Sequence, residues 1–448
     1  MGKQTPFTGP FAPSDADLAQ CVRCGLCLQH CPTFVQTGLE TESPRGRLYL
    51  IKAMSEGLVE PTANAIGHMD MCLQCRNCEA VCPSGVKYGR IMEGARAEIL
   101  MSTRAPLSWR LRSLFLREVI AHPGRLSLVA SALRLYRASG LRAVAESIPL
   151  IRDRAIFAPS ISGEAFTKRG IIARPKGETQ ARVALLTGCI MPLAYGRVHR
   201  ATARVLARNG CEIVAPPSQV CCGALHAHNG DLPTAIRLAR RNVDAFLGVG
   251  VDAVIVNSAG CGAAMKEYGE LLADDPEYSE KARRFSASVR DVSEFLVSLP
   301  FDPPPAATAN TQPRKANTSP LPRTGEGPVV RATSVTYQDS CHLAHAQGIS
   351  AAPRQIISSI PGVRLVEMRH ADRCCGSAGV YGLTQGEMSL RLLEEKMRDI
   401  SNTGADVIAT SNPGCMAQLE AGMRRRRMRG RVVHLVELLD EAYRRQSR

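Results

Sequence analysis

Two arrays of cysteine near the amino terminus carry the plainest chemistry in this chain. Cys21, Cys24, Cys27 and Cys31 precede Pro32, and 51 residues later Cys72, Cys75, Cys78 and Cys82 precede Pro83, so C-x2-C-x2-C-x3-C-P occurs twice. Iron prefers thiolate sulfur, and a cubane presents four iron corners that each need one ligand. Three cysteines at steps of three residues let a loop and the helical turn after it wrap one face of the cube. The fourth corner must be reached from elsewhere, and in paired runs of this type the fourth cysteine serves the other cube. The expected arrangement is therefore two [4Fe-4S] clusters, one on Cys21, Cys24, Cys27 and Cys82 and the other on Cys72, Cys75, Cys78 and Cys31. Each trailing proline turns the chain away and removes a backbone donor that would compete at the cube. Zinc is the competing chemistry, but its sites are built from separated CxxC pairs without the proline.

A second set of cysteines repeats over a longer period. Cys189, Cys221, Cys222 and Cys261 recur as Cys341, Cys374, Cys375 and Cys415, with offsets of 152, 153, 153 and 154 residues. Each pair of adjacent cysteines is followed by a glycine, Gly223 or Gly376, which frees the backbone to turn both sulfurs toward one ligand. A disulfide between neighbours would be strained. These eight are expected as redox or additional metal positions, leaving open a cluster, another metal or thiols alone. Cys211, whose counterpart is Val363, is read as an ordinary core residue.

Other polar residues accompany the arrays. Arg23, Arg76, Lys87 and Arg90 lie in or just after the first eight cysteines, where cations would raise the potential of an anionic cube. His226 and His228 follow one Cys-Cys-Gly triplet, and His342 and His345 follow Cys341, as candidates for lining a redox or quinone pocket.

The elements that must position these groups read as follows. Residues 1–100 have helical periodicity from Pro44 through Arg47, Tyr49 and Ile51 to Met54 and no strand signal, which predicts a helical ferredoxin domain holding both cubes. Residues 101–178 are rich in Arg, Leu and Ala and predict a helical connector broken near Pro123. Residues 179–297 and 331–448 each alternate strand and helix: RVALLTGC, CEIVAP and VDAVIVNS in the first copy, SVTYQDSC, VRLVEM and ADVIATSN in the second. Each closes on a similar helix start, VRDVSEFL at 289 and VVHLVELL at 432. The fold class is thus multidomain, α then α/β, with largely parallel sheets in which Cys189 and Cys341 close strands while Cys261 and Cys415 follow strands at the entrance to helices, at the carboxyl ends where ligands collect. Residues 298–330, rich in Pro, Thr and Ala, predict a flexible linker.

Composition narrows the function classes. Of the seventeen cysteines, eight fall in two tight arrays whose spacing points to metal chemistry in a reducing compartment, so the cytoplasm is expected. The first residues lack the pattern of a secretory signal, and no stretch reaches the roughly 18 to 20 apolar residues of a membrane-spanning helix, so membrane contact is expected only at the periphery. A net charge of +15 reads as solvated faces or a docking surface around Arg110 to Arg142 and Arg424 to Arg427; with aromatics at 4 % and no recognition motif, nucleic acid is not expected. No strand leads into a GxGxxG turn, so flavin and nicotinamide belong elsewhere.

The runs CVRCGLCLQHCPTF, SPRGRLYLIK, CLQCRNCEAVCPSGV and CCGALHAHNG closely resemble the iron-sulfur subunit of glycolate oxidase (glycolate dehydrogenase) over nearly the whole chain. The resemblance implies a non-flavin subunit of an oxidoreductase acting on CH-OH donors. Partner flavoproteins carrying FAD would oxidise glycolate to glyoxylate, and this chain would pass electrons toward the quinone pool, at the inner face of the membrane. The related iron-sulfur subunits of glycerol-3-phosphate and D-lactate dehydrogenases are the alternative. The repeated halves look like the CCG domains of heterodisulfide reductases, in which a fifth cysteine completes a noncubane cluster; here those positions are Ala264 and Gln418.

Overall fold

The computed structural model describes residues 7–102, 104–140, 165–301, 303–304 and 332–446. Most of the expected 298–330 linker, and Arg142, lie outside them.

The amino-terminal part is helical. Helices α1 (Asp15–Ala19), α2 (Pro32–Thr37), α3 (Pro44–Ser55), α4 (Ala63–Asp70), α5 (Asn77–Ala80) and α6 (Tyr88–Met101) surround a core of Leu48, Ile51, Met54, Met69, Ile91, Met92 and Ile99. Sequence explains the helix starts. Ser43 caps α3 by accepting from Gly46 N at 2.9 Å, and Pro44 and Pro32 occupy first-turn positions where a missing N–H costs nothing. Helices α7 (Leu107–Phe115, continued by a wider turn to Ile120) and α8 (Pro123–Ala138) follow, with the break at Pro123. Among the described residues no helix is long and apolar enough to cross a membrane.

The two halves that follow are α/β. Strands β1 (Gly170–Ala173), β2 (Ala181–Leu185), β3 (Cys211–Ala215), β4 (Ala253–Val256) and β5 (Val289–Asp291) form a sheet of order β1-β3-β2-β4-β5; β6 (Thr333–Tyr337), β7 (Val363–Leu365), β8 (Val407–Thr410) and β9 (Arg431–His434) form one of order β7-β6-β8-β9. All pairings are parallel except β1 with β3. The repeat extends to register. Val183 faces Ile213 and Ala253, and the residues that replace them, Val335, Leu365 and Val407, face one another likewise. Buried on both faces, the strands read as continuous apolar runs, with Val183 and Leu185 in one core and Ala184 and Leu186 in another. The first of these cores runs on through Val335, Tyr337, Val407 and Val433, so the two halves share it.

Three sequence expectations are corrected. The segment read as helical connector to residue 178 contains β1, an antiparallel edge strand whose GIIA run was too short to register as a period. The stretches at 289 and 432 are not helix starts throughout: each begins as a strand, β5 or β9, because its first residues complete the sheet edge before the chain turns into a helix. Cys189 and Cys341 do not close strands. Strands β2 and β6 end at Leu185 and Tyr337, and both cysteines sit in the loops beyond.

Two neutral histidines meet at Asn257: His199 holds its side chain within the first half, and His434 reaches its carbonyl from the second. His199 donates from Nε2 to Thr187 O at 3.0 Å and accepts from Asn257 Nδ2 on Nδ1 at 3.1 Å; His434 donates to Asn257 O at 3.0 Å and accepts from Val436 N at 3.2 Å. With both ring nitrogens engaged and no exposure, burial pushes His199 down to about 3 and His434 down to about 4. Below pH ~6.5 the unfolded chain therefore binds more protons than the folded one. Asp291, raised to about 6 by burial, works the other way over part of this range. Urea titrations should show stability constant above pH ~7 and falling toward pH 4, with about 3 kcal/mol of the loss from His434. His434→Gln, which keeps a donor but cannot charge, should flatten that fall.

Candidate iron-sulfur and cysteine sites

The two amino-terminal arrays fold alike. In each, the second residue after the first cysteine and the residue after the second cysteine have left-handed backbone: Arg23 and Gly25 in one (φ 58° and 82°), Gln74 and Arg76 in the other (φ 56° and 64°). Such residues reverse the chain within each C-x2-C step, so cysteines three apart face a common centre. Gln74 N donates to Cys72 Sγ at 3.4 Å.

A small cavity is lined by Cys31, Cys72, Cys75 and Cys78 together with Arg47, Arg76 and Tyr88. Cys31 belongs by sequence to the first array, yet its charge acts on Cys75 and Cys78 of the second. Burial first, and then the charge of Cys374 on Cys75 and of Cys75 on Cys78, raise these thiols well above the ordinary range. Sulfurs so placed become thiolates only with a cation among them. Gln74 is buried with neither end of its side-chain amide paired, an orphan donor within the second array. This donor set and this cradle fit an iron-sulfur cube. Of the other array, Cys21, Cys27 and Cys82 pack along the edge of the helical core while Cys24 is exposed, and burial together with the charge of Cys21 pushes Cys27 up to about 11.

The cation set differs from the one expected. Lys87 and Arg90 are exposed, and Arg90 pairs with Asp17 at 2.9 Å. The cations at the second array are half-buried Arg76, paired with Glu79 and Glu267, buried Arg96, which donates to Cys72 O at 2.8 Å, and Arg47, only 1 % exposed. Arg47 donates to Glu42 O, Thr33 Oγ1, His68 O and the Glu42 carboxylate, beside Cys31 and Cys72. Sequence reasoning passed over it. The signal was its place on the same helical face as Ile51 and Met54, where an arginine must be buried.

Each α/β half gathers its four cysteines beyond the carboxyl ends of three adjacent strands, the place where open parallel sheets bind ligands. In the first, Cys189 lies after β2, Cys221 and Cys222 after β3, and Cys261 in the first turn of helix Ala259–Lys266; Cys189 Sγ donates to Cys221 Sγ at 3.4 Å. The second repeats this with Cys341, Cys374, Cys375 and Cys415, the last in the first turn of helix Pro413–Arg426. Gly223 and Gly376, at φ 83° and 86°, make the turns; a Cβ on Gly376 would stand 2.7 Å from Ser389 O. Hydrogen bonds from the neighbouring thiols hold Cys221 and Cys374 well below the ordinary thiol range and push Cys189 and Cys341 up. At the two positions where a fifth cysteine would stand, Ala264 is apolar and Gln418 Nε2 donates to Ser389 Oγ at 3.0 Å, so a five-thiolate centre does not fit. Cys211 is fully buried in the shared core.

The halves meet the helical part asymmetrically. The second packs its cysteines on the second array: Cys374 acts on Cys75, Cys31 and Cys75 line a pocket with Cys374, and Tyr381 donates to Met71 O at 2.8 Å. Of the histidines, His342 contacts Gln74 O at 2.7 Å and its ring lies tilted 5.1 Å from that of His228, which pairs with Glu93 at 2.7 Å. His226 faces Asp231, and His345 contacts Asp372 O at 3.0 Å, so the four do not share one pocket.

Comparison with known proteins agrees with this layout. A 4Fe-4S dicluster domain matches residues 17–86, a cysteine-rich domain matches 183–266 and 335–420, and the linker region of the glycolate oxidase iron-sulfur subunit matches 110–156. The chain is 40 % identical to the probable glycolate oxidase iron-sulfur subunit of Bacillus subtilis (strain 168), over 96 % of this chain and 94 % of that one. It is 31 % identical to the glycolate oxidase iron-sulfur subunit of Escherichia coli (strain K12), over 96 % and 95 %. A hypothetical protein from Helicobacter pylori has a similar fold, with a TM-score of 0.53 at 10 % identity over 96 % of this chain and 73 % of that one.

Proposed function

The chain belongs to the family of glycolate oxidase iron-sulfur subunits, and from this we propose that it carries electrons from glycolate-oxidising flavoprotein partners toward the quinone pool. The cavity closed by Cys31, Cys72, Cys75 and Cys78 is the observation that carries the reading. It supports crossed ligation, with Cys21, Cys24, Cys27 and Cys82 holding the other cube. When bound, the cubes supply one-electron redox chemistry within reach of each other. The chain's own residues set the conditions: Arg47 and Arg76 place positive charge beside the second array, and burial excludes water there.

From the second array the direct path leads through Cys75 to Cys374. We assign the four-thiol site of the second half as the next station; a centre with four protein thiolates suits both halves. The flavin, and the conversion of glycolate to glyoxylate, reside on the partners. Delivery to quinone places the complex at the cytoplasmic face of the membrane, held there peripherally. Anaerobic purification with the partners should give about eight irons per chain from the two arrays alone. Bleaching of the iron-sulfur absorption by glycolate, and not by glycerol 3-phosphate or D-lactate, is the expected result. Stoichiometric zinc without iron would refute the electron-transfer reading, and bleaching by one of the other substrates would reassign the partner.

A further inference from the structure

We infer that the face around the first array is where the electron-donating flavoprotein subunit docks, an inference that rests on the electron-transfer reading above. The two arrays differ in access. Cys31, Cys72 and Cys78 are buried, and their array is covered by both α/β halves, through Glu267 on Arg76, His342 on Gln74 and Cys374 against Cys75. Among the described residues, the other array is the one open to a partner, where Cys24 is exposed.

The surface around Cys24 is apolar. Val22 is 68 % exposed, Leu26 59 %, Leu39 55 % and Tyr49 55 %. Single exposed apolar residues are ordinary, but four gathered about an exposed ligand cysteine form a patch. They are stitched into one face. Arg45 donates to Arg23 O at 3.2 Å and pairs with Glu40 next to Leu39, while the Arg23 guanidinium lies 5.1 Å over the Tyr49 ring. The occupant's chemistry follows: an apolar centre over the edge of its flavin, with carboxylates opposite Arg23. Helices α7 and α8 also expose leucines, among them Leu128 and Leu135, but that surface carries no cluster ligand, and Arg112, Arg117 and Arg125 beside it are already held by Asp70, Asp231 and Glu118.

No bond between the proteins forms or breaks in the transfer. Flavin reduced with two electrons from glycolate is reoxidised, the electrons cross singly, one for each array, and the protons remain with the partner. The test uses the full complex and L39E/Y49E, chosen because neither position lies inside the Cys21–Cys31 or Cys72–Cys82 array, with L128E/L135E as the comparison. L39E/Y49E should keep wild-type iron content and its dithionite-reduced spectrum while its reduction by the partner with glycolate slows roughly tenfold or more. L128E/L135E should behave as wild type in both. An unchanged rate in L39E/Y49E, or equal slowing in both variants, would overturn the docking face. Failure of glycolate to reduce even the wild-type chain would instead remove the electron-transfer reading beneath it.

Discussion

Cys31→Ser halves the iron content, from about eight to about four per chain, and the cube it removes is the buried one. Proximity in sequence would assign Cys31 to the array of Cys21, Cys24 and Cys27, but the fold turns it into the cavity of Cys72, Cys75 and Cys78. The double variant C31S/C72S distinguishes the two assignments. With crossed ligation both substitutions strike one cube, and about four irons remain; with ligation confined to each array, both cubes are lost. Cys82→Ser should mirror this by removing the exposed cube. C82S/C21S should again leave about four irons, now the buried set.

Arg47→Met should destabilise the chain by about 3 to 5 kcal/mol, the usual result of leaving one partner of a buried ion pair without the other. Glu42 would stay buried without its guanidinium, and the carbonyl of Glu42 and Thr33 Oγ1 would lose a donor. Chemical denaturation measures the loss. R47M/E42Q should recover part of it, because the stranded charge is then gone. The same variant removes a positive charge beside Cys31 and Cys72, so the potential of the buried cube should fall relative to that of the exposed one. Equal potentials in wild type and variant would mean that Arg47 is structural only.

Much of this was legible in sequence because the signals repeat. Copies of cysteine spacing 51 residues apart, and again about 153 apart, pointed to candidate sites and to two like α/β halves; the strand order β3-β2-β4-β5, which recurs as β7-β6-β8-β9, came from the fold. Crossed ligation was readable from general iron-sulfur chemistry, and the cavity around Cys31 supports it. What escaped was non-periodic or tertiary. Strand β1 is four residues long and draws its stability from pairing with β3, which no local pattern announces. The helical face of Arg47 marks it for burial, but its partners, the Glu42 carboxylate that neutralises it and the carbonyl of His68, are set by the fold. The packing of Cys374 on Cys75 joins residues about 300 apart, and only the fold brings them together.

Rapid-freeze electron paramagnetic resonance on the assembled complex, mixed anaerobically with glycolate, tests the electron-transfer role most directly. Signals of the reduced cubes should grow in at least as fast as the complex turns over and decay when a quinone is added. Steady glyoxylate formation with the clusters of this chain still oxidised would show that the electrons travel by another path.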